Sequence, residues 1–305
     1  MKIIENYNLQ QISFWKIGGV AKFYIEVDSA QELNQAFSFT TSKSVKAIVI
    51  GNATNLLFSD GLIDVAIIRL GVGFKNINVC GDTIEIGAGV SCQKLVRVCQ
   101  VNALVGLEHI VGIPATIGGL IYMNGGSQRK TISENVLSVT SINDKGKMIV
   151  RTNKDCKFSY RKSIFQSKCD EVIISAKFTL ERGSRNKSRK DCLQILKDRN
   201  SKFPRKLPSC GSVFISDPNM YNSFGPPGKI IESLGFKGVS IGDAEVSKKH
   251  ANFIVNKGQA KAEDVLKLVV MINDSVKEKY GFLMTSEGLY INKAGEITPL
   301  HLAEV

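Results

Sequence analysis

The segment Gly112–Asn124 constrains the fold more than any other part of the chain. It places three glycines and one proline among apolar residues, in the order G-I-P-A-T-I-G-G-L-I-Y-M-N. Pro114 lacks an N–H donor and glycine weakens helices, so an ordinary helix is not expected. The apolar side chains, Ile117 and Leu120 among them, are typical of buried chain. A backbone of this kind can approach a phosphate and turn its N–H groups toward it, although a tight turn inside a core explains the segment equally well.

A second glycine turn follows a short apolar strand predicted for residues 47–50. The turn reads Gly-Asn-Ala-Thr-Asn-Leu-Leu over residues 51–57. It is a second candidate for anion binding, and a plain turn is the alternative. A third run, Gly87-Ala88-Gly89, resembles the start of a dinucleotide-binding fingerprint. The third glycine of that fingerprint is missing, so a Rossmann fold is not supported.

Composition limits the partners that the chain can have. The formal net charge of +12 favours an anionic partner, which could be nucleic acid, a membrane surface or a phosphorylated small molecule. No apolar run is long enough to span a membrane, and no signal sequence is recognisable. The seven cysteines form no C-x-x-C pair, and the three histidines do not cluster with other ligand types. We therefore expect a reduced, cytoplasmic protein without a disulfide framework or a metal site.

The length of 305 residues predicts about two domains. A basic stretch over residues 184–206 predicts a helix with Leu193, Ile195 and Leu196 on its apolar side. No aromatic residues alternate with its charges, so a solvated face is favoured over a nucleic-acid surface. Further along, the periodicity predicts a helix over residues 262–280 that ends at Gly281. Strands are predicted from residue 208 to 214, over 249–256 and over 282–291.

Several short motifs occur in an order that is specific as a series. They are Ile17-Gly18-Gly19, Gly51-x-x-Thr54-Asn55-Leu56-Leu57, Gly112 to Gly119, Met123-Asn124, Tyr160-Arg161-x-Ser163, Gly211-Ser212-Val213-Phe214, Ser247-x-x-His250-x-Asn252 to Asn256, and Glu287. This series resembles the UDP-N-acetylenolpyruvoylglucosamine reductase (MurB) family. The short spacing between Ser212 and Glu287 resembles the subtype that lacks a substrate-covering tyrosine loop.

The resemblance implies an α+β fold with two domains. Residues 1–186 would form a two-lobed FAD-binding unit of the vanillyl-alcohol-oxidase (PCMH) type, with lobes at about 1–70 and 71–186. Residues 187–305 would form an α+β substrate-binding domain. The implied protein is a cytoplasmic monomer that acts in peptidoglycan synthesis, and through it in cell wall biogenesis, cell shape and cell division. It would bind neither nucleic acid nor membrane.

The resemblance also implies a reaction. NADPH would reduce FAD, and the reduced flavin would pass a hydride to C3 of the enolpyruvyl group of UDP-N-acetylglucosamine enolpyruvate. Ser212 would then protonate C2, which gives UDP-N-acetylmuramate. Arg161 suits the substrate carboxylate because a cation stabilises the negative charge that develops there, and Glu287 would assist as a hydrogen-bonding or polarising group. Taken alone, Arg161 could be a surface ion pair, Ser212 a turn residue and Glu287 an exposed acid.

The two glycine turns would hold the FAD pyrophosphate, and Asn55 would hydrogen-bond the cofactor or brace its loop. The implied cofactor-binding residues are Gly51, Asn52, Ala53, Thr54, Asn55, Leu56, Gly112, Ile113, Pro114, Ala115, Thr116, Gly118, Gly119 and Asn124. The residues expected to contact the substrate are Tyr160, Lys206, His250 and Asn252. His250 is also explained as a structural histidine.

The sequence departs from the family pattern at several positions. Ala53 and Ala115 stand where the family commonly has glycine, so we expect each to need a negative φ or a displaced pyrophosphate. After Asn124, the sequence Gly125–Lys130 replaces an aromatic residue and adds two positive charges. Cys210 lies close to Ser212 and could make the enzyme sensitive to alkylation.

Two other functions fit parts of the sequence. A flavin oxidase or dehydrogenase of the same fold would keep the glycine turns but would not need Arg161, Ser212 and Glu287 together. A basic nucleic-acid-binding protein would explain the charge without any cofactor.

Overall fold

The computed structural model describes residues 1–168, 170–216, 220 and 223–304, which fall into two compact units. The first unit comprises Met1–Ile4, Tyr24–Asn52 and Ala66–Arg199, and the second comprises Glu5–Phe23, Ala53–Val65 and Asn200–Val305. The first glycine turn is divided between them, because the chain passes from one unit to the other after Asn52. The predicted domain boundary at residue 187 stays a prediction.

Helices and strands occur in both units, which confirms the predicted α+β class. The helices are α1 (Ala30–Ser42), α2 (Cys92–Val101), α3 (Ile117–Tyr122), α4 (Arg185–Lys202), α5 (Pro227–Ser233) and α6 (Ala262–Tyr280). The strands are β1 (Lys2–Asn8), β2 (Val20–Val27), β3 (Lys46–Ile50), β4 (Leu56–Phe58), β5 (Leu62–Leu70), β6 (Ile77–Cys80), β7 (Thr83–Gly87), β8 (Leu104–Val105), β9 (Val136–Asn143), β10 (Met148–Thr152), β11 (Glu171–Thr179), β12 (Glu181–Arg182), β13 (Ser240–Ile241), β14 (Ala244–Val246), β15 (Ile254–Asn256), β16 (Leu289–Ile291) and β17 (Ile297–Pro299).

A five-stranded antiparallel sheet in the order β10–β9–β11–β7–β6 forms the centre of the first unit. Its apolar side chains share one core with residues of α2, α3 and α4. A further sheet has the order β1–β2–β5–β3. The core shared with the five-stranded sheet fixes the position of α3, which carries the second half of the glycine-rich segment.

The second unit is built around the long helix α6. Its buried face, which includes Val265, Val269 and Ile272, shares a core with α5, β14, β15 and Leu300. A three-stranded sheet has the order β13–β14–β15, and another has the order β17–β16–β4, in which β16 and β4 are parallel. The predicted bounds of α6 are confirmed, because Gly281 has a φ of 77° and ends the helix in the left-handed conformation.

Four sequence predictions for secondary structure were wrong in part. The glycine-rich segment does contain a helix, because Thr116 caps α3 by accepting the Gly119 N–H at 3.2 Å, and Pro114 lies before the helix begins. The predicted strands over 249–256 and 282–291 are reduced to their last three residues, β15 and β16. Between residues 208 and 214, only Phe214 forms a strand-like bridge, with Ser286, because the backbone of Phe214 bonds mainly to an asparagine side chain.

The face predicted for α4 was also partly wrong. Leu193 is 58% exposed, whereas Ser188, Cys192 and Ile195 are buried. Positions 188, 192 and 195 share one helix face at the spacing of i, i+4 and i+7, and Leu193 lies off it.

Candidate active site

The two glycine turns meet within the first unit. Asn52 donates a hydrogen bond from Nδ2 to the carbonyl oxygen of Pro114 at 2.9 Å. A Cβ on Gly51 would lie only 2.5 Å from Thr116 Oγ1, so this approach requires glycine at residue 51. The residues that the sequence predicted as two anion-binding turns are therefore packed against each other at Asn52 and Pro114.

Several N–H groups of the second turn are already bonded within the protein. Ile117 donates to the carbonyl of Val90 at 2.8 Å, and Gly118 donates to that of Ala88 at 2.9 Å. A Cβ on Gly118 would lie 2.9 Å from Ala88 Cβ, so the turn fits closely against the Gly87–Gly89 run. The glycine at 118 is therefore explained by packing inside the protein.

The two alanines that replace family glycines differ in conformation. Ala53 has a φ of 51°, in the left-handed region, so of the two alternatives expected from the sequence only a displaced pyrophosphate is left at this position. Ala115 is not among the described residues with a positive φ, and its carbonyl accepts the Cys92 N–H at 3.1 Å. A Cβ in the left-handed region is strained, because it lies close to the following carbonyl oxygen.

Arg161 lies at the tip of a tight turn in which Ser159 and Lys162 exchange backbone hydrogen bonds of 3.1 and 3.0 Å. Its φ is 58°, which is uncommon for an arginine, and its guanidinium lies 5.2 Å from the ring centre of Tyr160. Asn124 holds this turn by donating from Nδ2 to the Ser159 carbonyl at 2.8 Å. Such strain is maintained only when surrounding contacts fix the conformation, and it is common at functional sites.

Side chains after the turn anchor it to the end of α3. Ser163 Oγ donates to the Tyr122 carbonyl at 2.7 Å, and Gln166 Nε2 donates to the carbonyls of Tyr122 and Arg161, each at 3.0 Å. The serine of the Tyr160-Arg161-x-Ser163 motif is thus explained as a tether for the arginine.

Sequence reasoning missed Arg69. Its Nη2 lies 3.4 Å from Asn52 Oδ1, beside the paired glycine turns. Arg69 interrupts the otherwise apolar C-terminal half of β5, and a charged residue at that position was the available signal. The arginine adds a cation to the surroundings of an expected anion.

In the second unit, Asn252 holds the backbone just after Ser212. Its main-chain carbonyl accepts the Val213 N–H at 2.9 Å. Its side chain accepts the Phe214 N–H and donates to the Phe214 carbonyl, each at 2.9 Å. Asn252 is 4% exposed, so these contacts indicate that it positions the Ser212 segment.

Glu287 is held beside the same segment. Its N–H donates to the Val213 carbonyl at 2.7 Å, and its carbonyl accepts a hydrogen bond from Asn55 Nδ2 at 2.8 Å. Asn55 in turn accepts the Leu289 N–H at 3.0 Å through its own carbonyl. Glu287 is therefore bonded to Val213, the residue that follows Ser212, and both Ser212 and Glu287 are half-buried.

Cys210 lies near this acidic side chain. Burial, and after it the carboxylate of Glu287, raise the pKa of the Cys210 thiol far above its usual range. The reactive thiolate form is therefore disfavoured, and the alkylation sensitivity expected from the sequence is not supported by this environment.

The remaining residues expected near the substrate differ in their surroundings. His250 accepts the Asn252 N–H at Nδ1 at 3.2 Å, and its ring centre lies 5.4 Å from that of Phe203. Burial lowers the pKa of His250. Lys206 and Tyr160 are exposed. Among the described residues, no group of histidine, cysteine and acidic side chains could hold a metal ion, and no helix could cross a membrane.

Two family models match the chain, and each matches a different part. Residues 21–152 match an FAD binding domain, and residues 203–291 match the C-terminal domain of UDP-N-acetylenolpyruvoylglucosamine reductase. The chain is 37% identical over 294 residues to UDP-N-acetylenolpyruvoylglucosamine reductase 1 of Corynebacterium glutamicum, which covers 96% of this chain and 88% of that protein. The chain belongs to the UDP-N-acetylenolpyruvoylglucosamine reductase family.

Other members of this reductase family are also similar to the chain in sequence or in structure. The enzyme of Fervidobacterium nodosum is 36% identical, over 90% of this chain and 86% of its own length. The crystal structure of the Thermus caldophilus reductase (MurB) superposes with a TM-score of 0.79 at 28% identity, over 95% of this chain and 98% of that one. The predicted fold, with its PCMH-type FAD-binding unit, is confirmed, and so is the expectation of an FAD-dependent oxidoreductase.

Proposed function

We propose that the chain reduces UDP-N-acetylglucosamine enolpyruvate to UDP-N-acetylmuramate with electrons from NADPH. Membership of the reductase family supports this substrate, and the placement of Ser212 next to Glu287 carries the chemical part of the proposal. We further propose that the protein works as a cytoplasmic monomer in peptidoglycan precursor synthesis.

The paired glycine turns fit an FAD pyrophosphate. We assign its hydrogen-bond donors in the first unit to Asn52, Ala115 and Thr116, because the N–H groups of Ile117 and Gly118 already donate within the protein. Arg69 supplies positive charge beside Asn52. Bound FAD would supply the two-electron chemistry that carries a hydride from NADPH to C3 of the enolpyruvyl group.

The protein side chains stabilise the negative charge that develops on the substrate and supply the proton that is added at C2. Delivery of hydride to C3 leaves negative charge on C2 that spreads into the adjacent carboxylate, and Arg161 stabilises this charge. The Ser212 hydroxyl gives its proton to C2, so that one hydride and one proton add across the double bond. A serine hydroxyl is a weak acid, and the adjacent Glu287 orients the reacting groups by hydrogen bonding.

Anaerobic spectroscopy tests the proposal with the purified flavoprotein. NADPH should bleach the flavin, and UDP-N-acetylglucosamine enolpyruvate should restore its absorbance. In Ser212→Ala, the bleaching should be unchanged, while the restoration should slow by about 100-fold or more, since general acid catalysis contributes on that scale.

Other outcomes have distinct meanings. A flavin that bleaches but is not reoxidised by this substrate points to an oxidase or dehydrogenase of the same fold with another substrate. Normal reoxidation in Ser212→Ala removes the serine from the mechanism. A protein that cannot be loaded with FAD overturns the whole proposal.

A further inference from the structure

The C-terminal segment holds the backbone on both sides of Glu287. The N–H of Ser286 donates to Nδ1 of His301 at 3.1 Å, and the His301 N–H donates back to Ser286 Oγ at 3.3 Å. The N–H of Leu300 donates to the Gly288 carbonyl at 3.1 Å. These three bonds join the 3-10 turn Leu300–Leu302 to both neighbours of Glu287.

The segment around Ser286 and Gly288 is closely packed against the Leu300–Leu302 turn. Ser286 is 4% exposed and Leu300 is 0% exposed. A Cβ on Gly288 would lie 2.6 Å from Leu300 Cδ1, so the two chain segments touch without space for a larger residue. The backbone of Glu287 itself bonds to the Val213 carbonyl and to the Asn55 side-chain amide, so its position is defined from three directions.

The bonding pattern fixes the protonation state of His301. Because Nδ1 accepts the Ser286 N–H, it carries no proton, and the neutral ring bears its hydrogen on Nε2. The Ser286 hydroxyl lies 3.0 Å from Nδ1 and 3.1 Å from the Gly288 carbonyl, so the same side chain links both neighbours of Glu287. Burial lowers the pKa of His301, which favours this neutral form.

We infer that His301 is a positioning residue that sets the placement of Glu287 through Ser286. The inference rests on the proposed function, in which Glu287 takes part in catalysis. It assigns a role to a segment outside the family match, which ends at residue 291.

The test compares two amide variants. His301→Asn keeps an oxygen acceptor near the position of Nδ1, whereas in His301→Gln the amide lies one methylene further out and cannot accept the Ser286 N–H. Leu302→Asn, at an exposed side chain on the same turn, is the matched control. Each flavoprotein is reduced by NADPH without oxygen, and the rate of reoxidation by substrate is measured in a single turnover. Amide hydrogen exchange over residues 284–289 is measured in parallel.

We expect His301→Gln to reoxidise about 10-fold more slowly than the parent or more, because small displacements of reacting groups have effects of this size. His301→Asn and Leu302→Asn should stay within about 3-fold of the parent. Reduction by NADPH should be unchanged in all three variants. Exchange at the Ser286 amide should accelerate in His301→Gln alone.

A double-mutant comparison separates positioning from a general structural effect. In a Glu287→Gln background, His301→Gln should slow reoxidation no further, since the residue acts through Glu287. Equal rates for His301→Gln and the parent, or a full additional loss in the Glu287→Gln background, would overturn the inference. If the parent itself is not reoxidised by the substrate, the proposed function has failed, and the exchange of the Ser286 amide still decides whether His301 orders this segment.

Discussion

Asn55 Nδ2 donates to the carbonyl oxygen of Glu287 at 2.8 Å, which links a residue of the first glycine turn to a residue of the proposed catalytic set. The resemblance implied that Asn55 hydrogen-bonds FAD or braces its loop. Its side-chain bond also supports a role in holding Glu287, and its carbonyl bond to the Leu289 N–H strengthens the same connection.

Replacement of Asn55 by alanine distinguishes these two roles. If Asn55 mainly positions Glu287, Asn55→Ala should keep its FAD and its reduction by NADPH, but reoxidation by substrate should slow by about 10-fold. Flavin content after gel filtration and single-turnover absorbance measure the two effects. A colourless variant that reoxidises normally once FAD is added back would assign Asn55 to the cofactor.

Ala53 is expected to reduce stability, because its φ of 51° places a Cβ in the left-handed region. Ala53→Gly should raise the free energy of unfolding by up to about 1 kcal/mol, since relief of strain exceeds the added freedom of the unfolded chain. Ala115→Gly is the matched control, because Ala115 has no positive φ, and it should lower stability by about 0.5–1 kcal/mol. Urea unfolding measures both, and a loss of stability in Ala53→Gly would contradict the strain argument.

The elements that the sequence predicted best are those defined by local signals. Apolar periodicity and a C-terminal glycine defined α6. The motif series identified the family, and the order of its motifs pointed to Arg161, Ser212 and Glu287 as candidate catalytic residues. These signals depend on neighbouring residues or on a known pattern.

Long-range side-chain contacts could not be predicted in this way. Asn252 supplies the bonds that a strand partner would have supplied to Phe214, so the predicted strand over residues 208–214 is absent. His301 contacts Ser286 across a sequence separation of 15 residues without any periodic pattern. Polar side chains that replace backbone pairing leave no mark in hydrophobic periodicity.

Asn252 allows a test of whether side-chain hydrogen bonds replace backbone pairing at Phe214. Asn252→Ala should lower the free energy of unfolding by about 2–3 kcal/mol, because the buried N–H and carbonyl of Phe214 lose their partners. The control is Lys206→Ala, since Lys206 is exposed, and its stability should change by less than about 0.5 kcal/mol. Chemical unfolding compares them. If Asn252→Ala is as stable as the control and only KM rises, Asn252 contacts the substrate, as the sequence implied.

The three histidines make stability depend on pH. Burial lowers the pKa of His109, His250 and His301 in the folded protein, so each binds a proton more readily when the chain is unfolded. Unfolding therefore takes up protons once the pH falls below the ordinary histidine pKa of about 6.5. In that range the free energy of unfolding becomes smaller as the pH falls. Above about pH 7.5 this contribution should be constant. Each histidine adds a slope of at most about 1.4 kcal/mol per pH unit.

Urea unfolding at pH 7.5 and 5.5, together with NMR titration of the histidine Cε1 protons, measures this dependence. The midpoint concentration of urea should be lower at pH 5.5, and all three resonances should titrate below pH 6.5. His301→Asn removes one titrating group and keeps the acceptor for Ser286, so its stability should change less between the two pH values. Resonances that titrate at or above pH 6.5, or an identical pH dependence in the variant, would show that protonation does not disrupt the buried contacts at Nδ1 of His250 and His301.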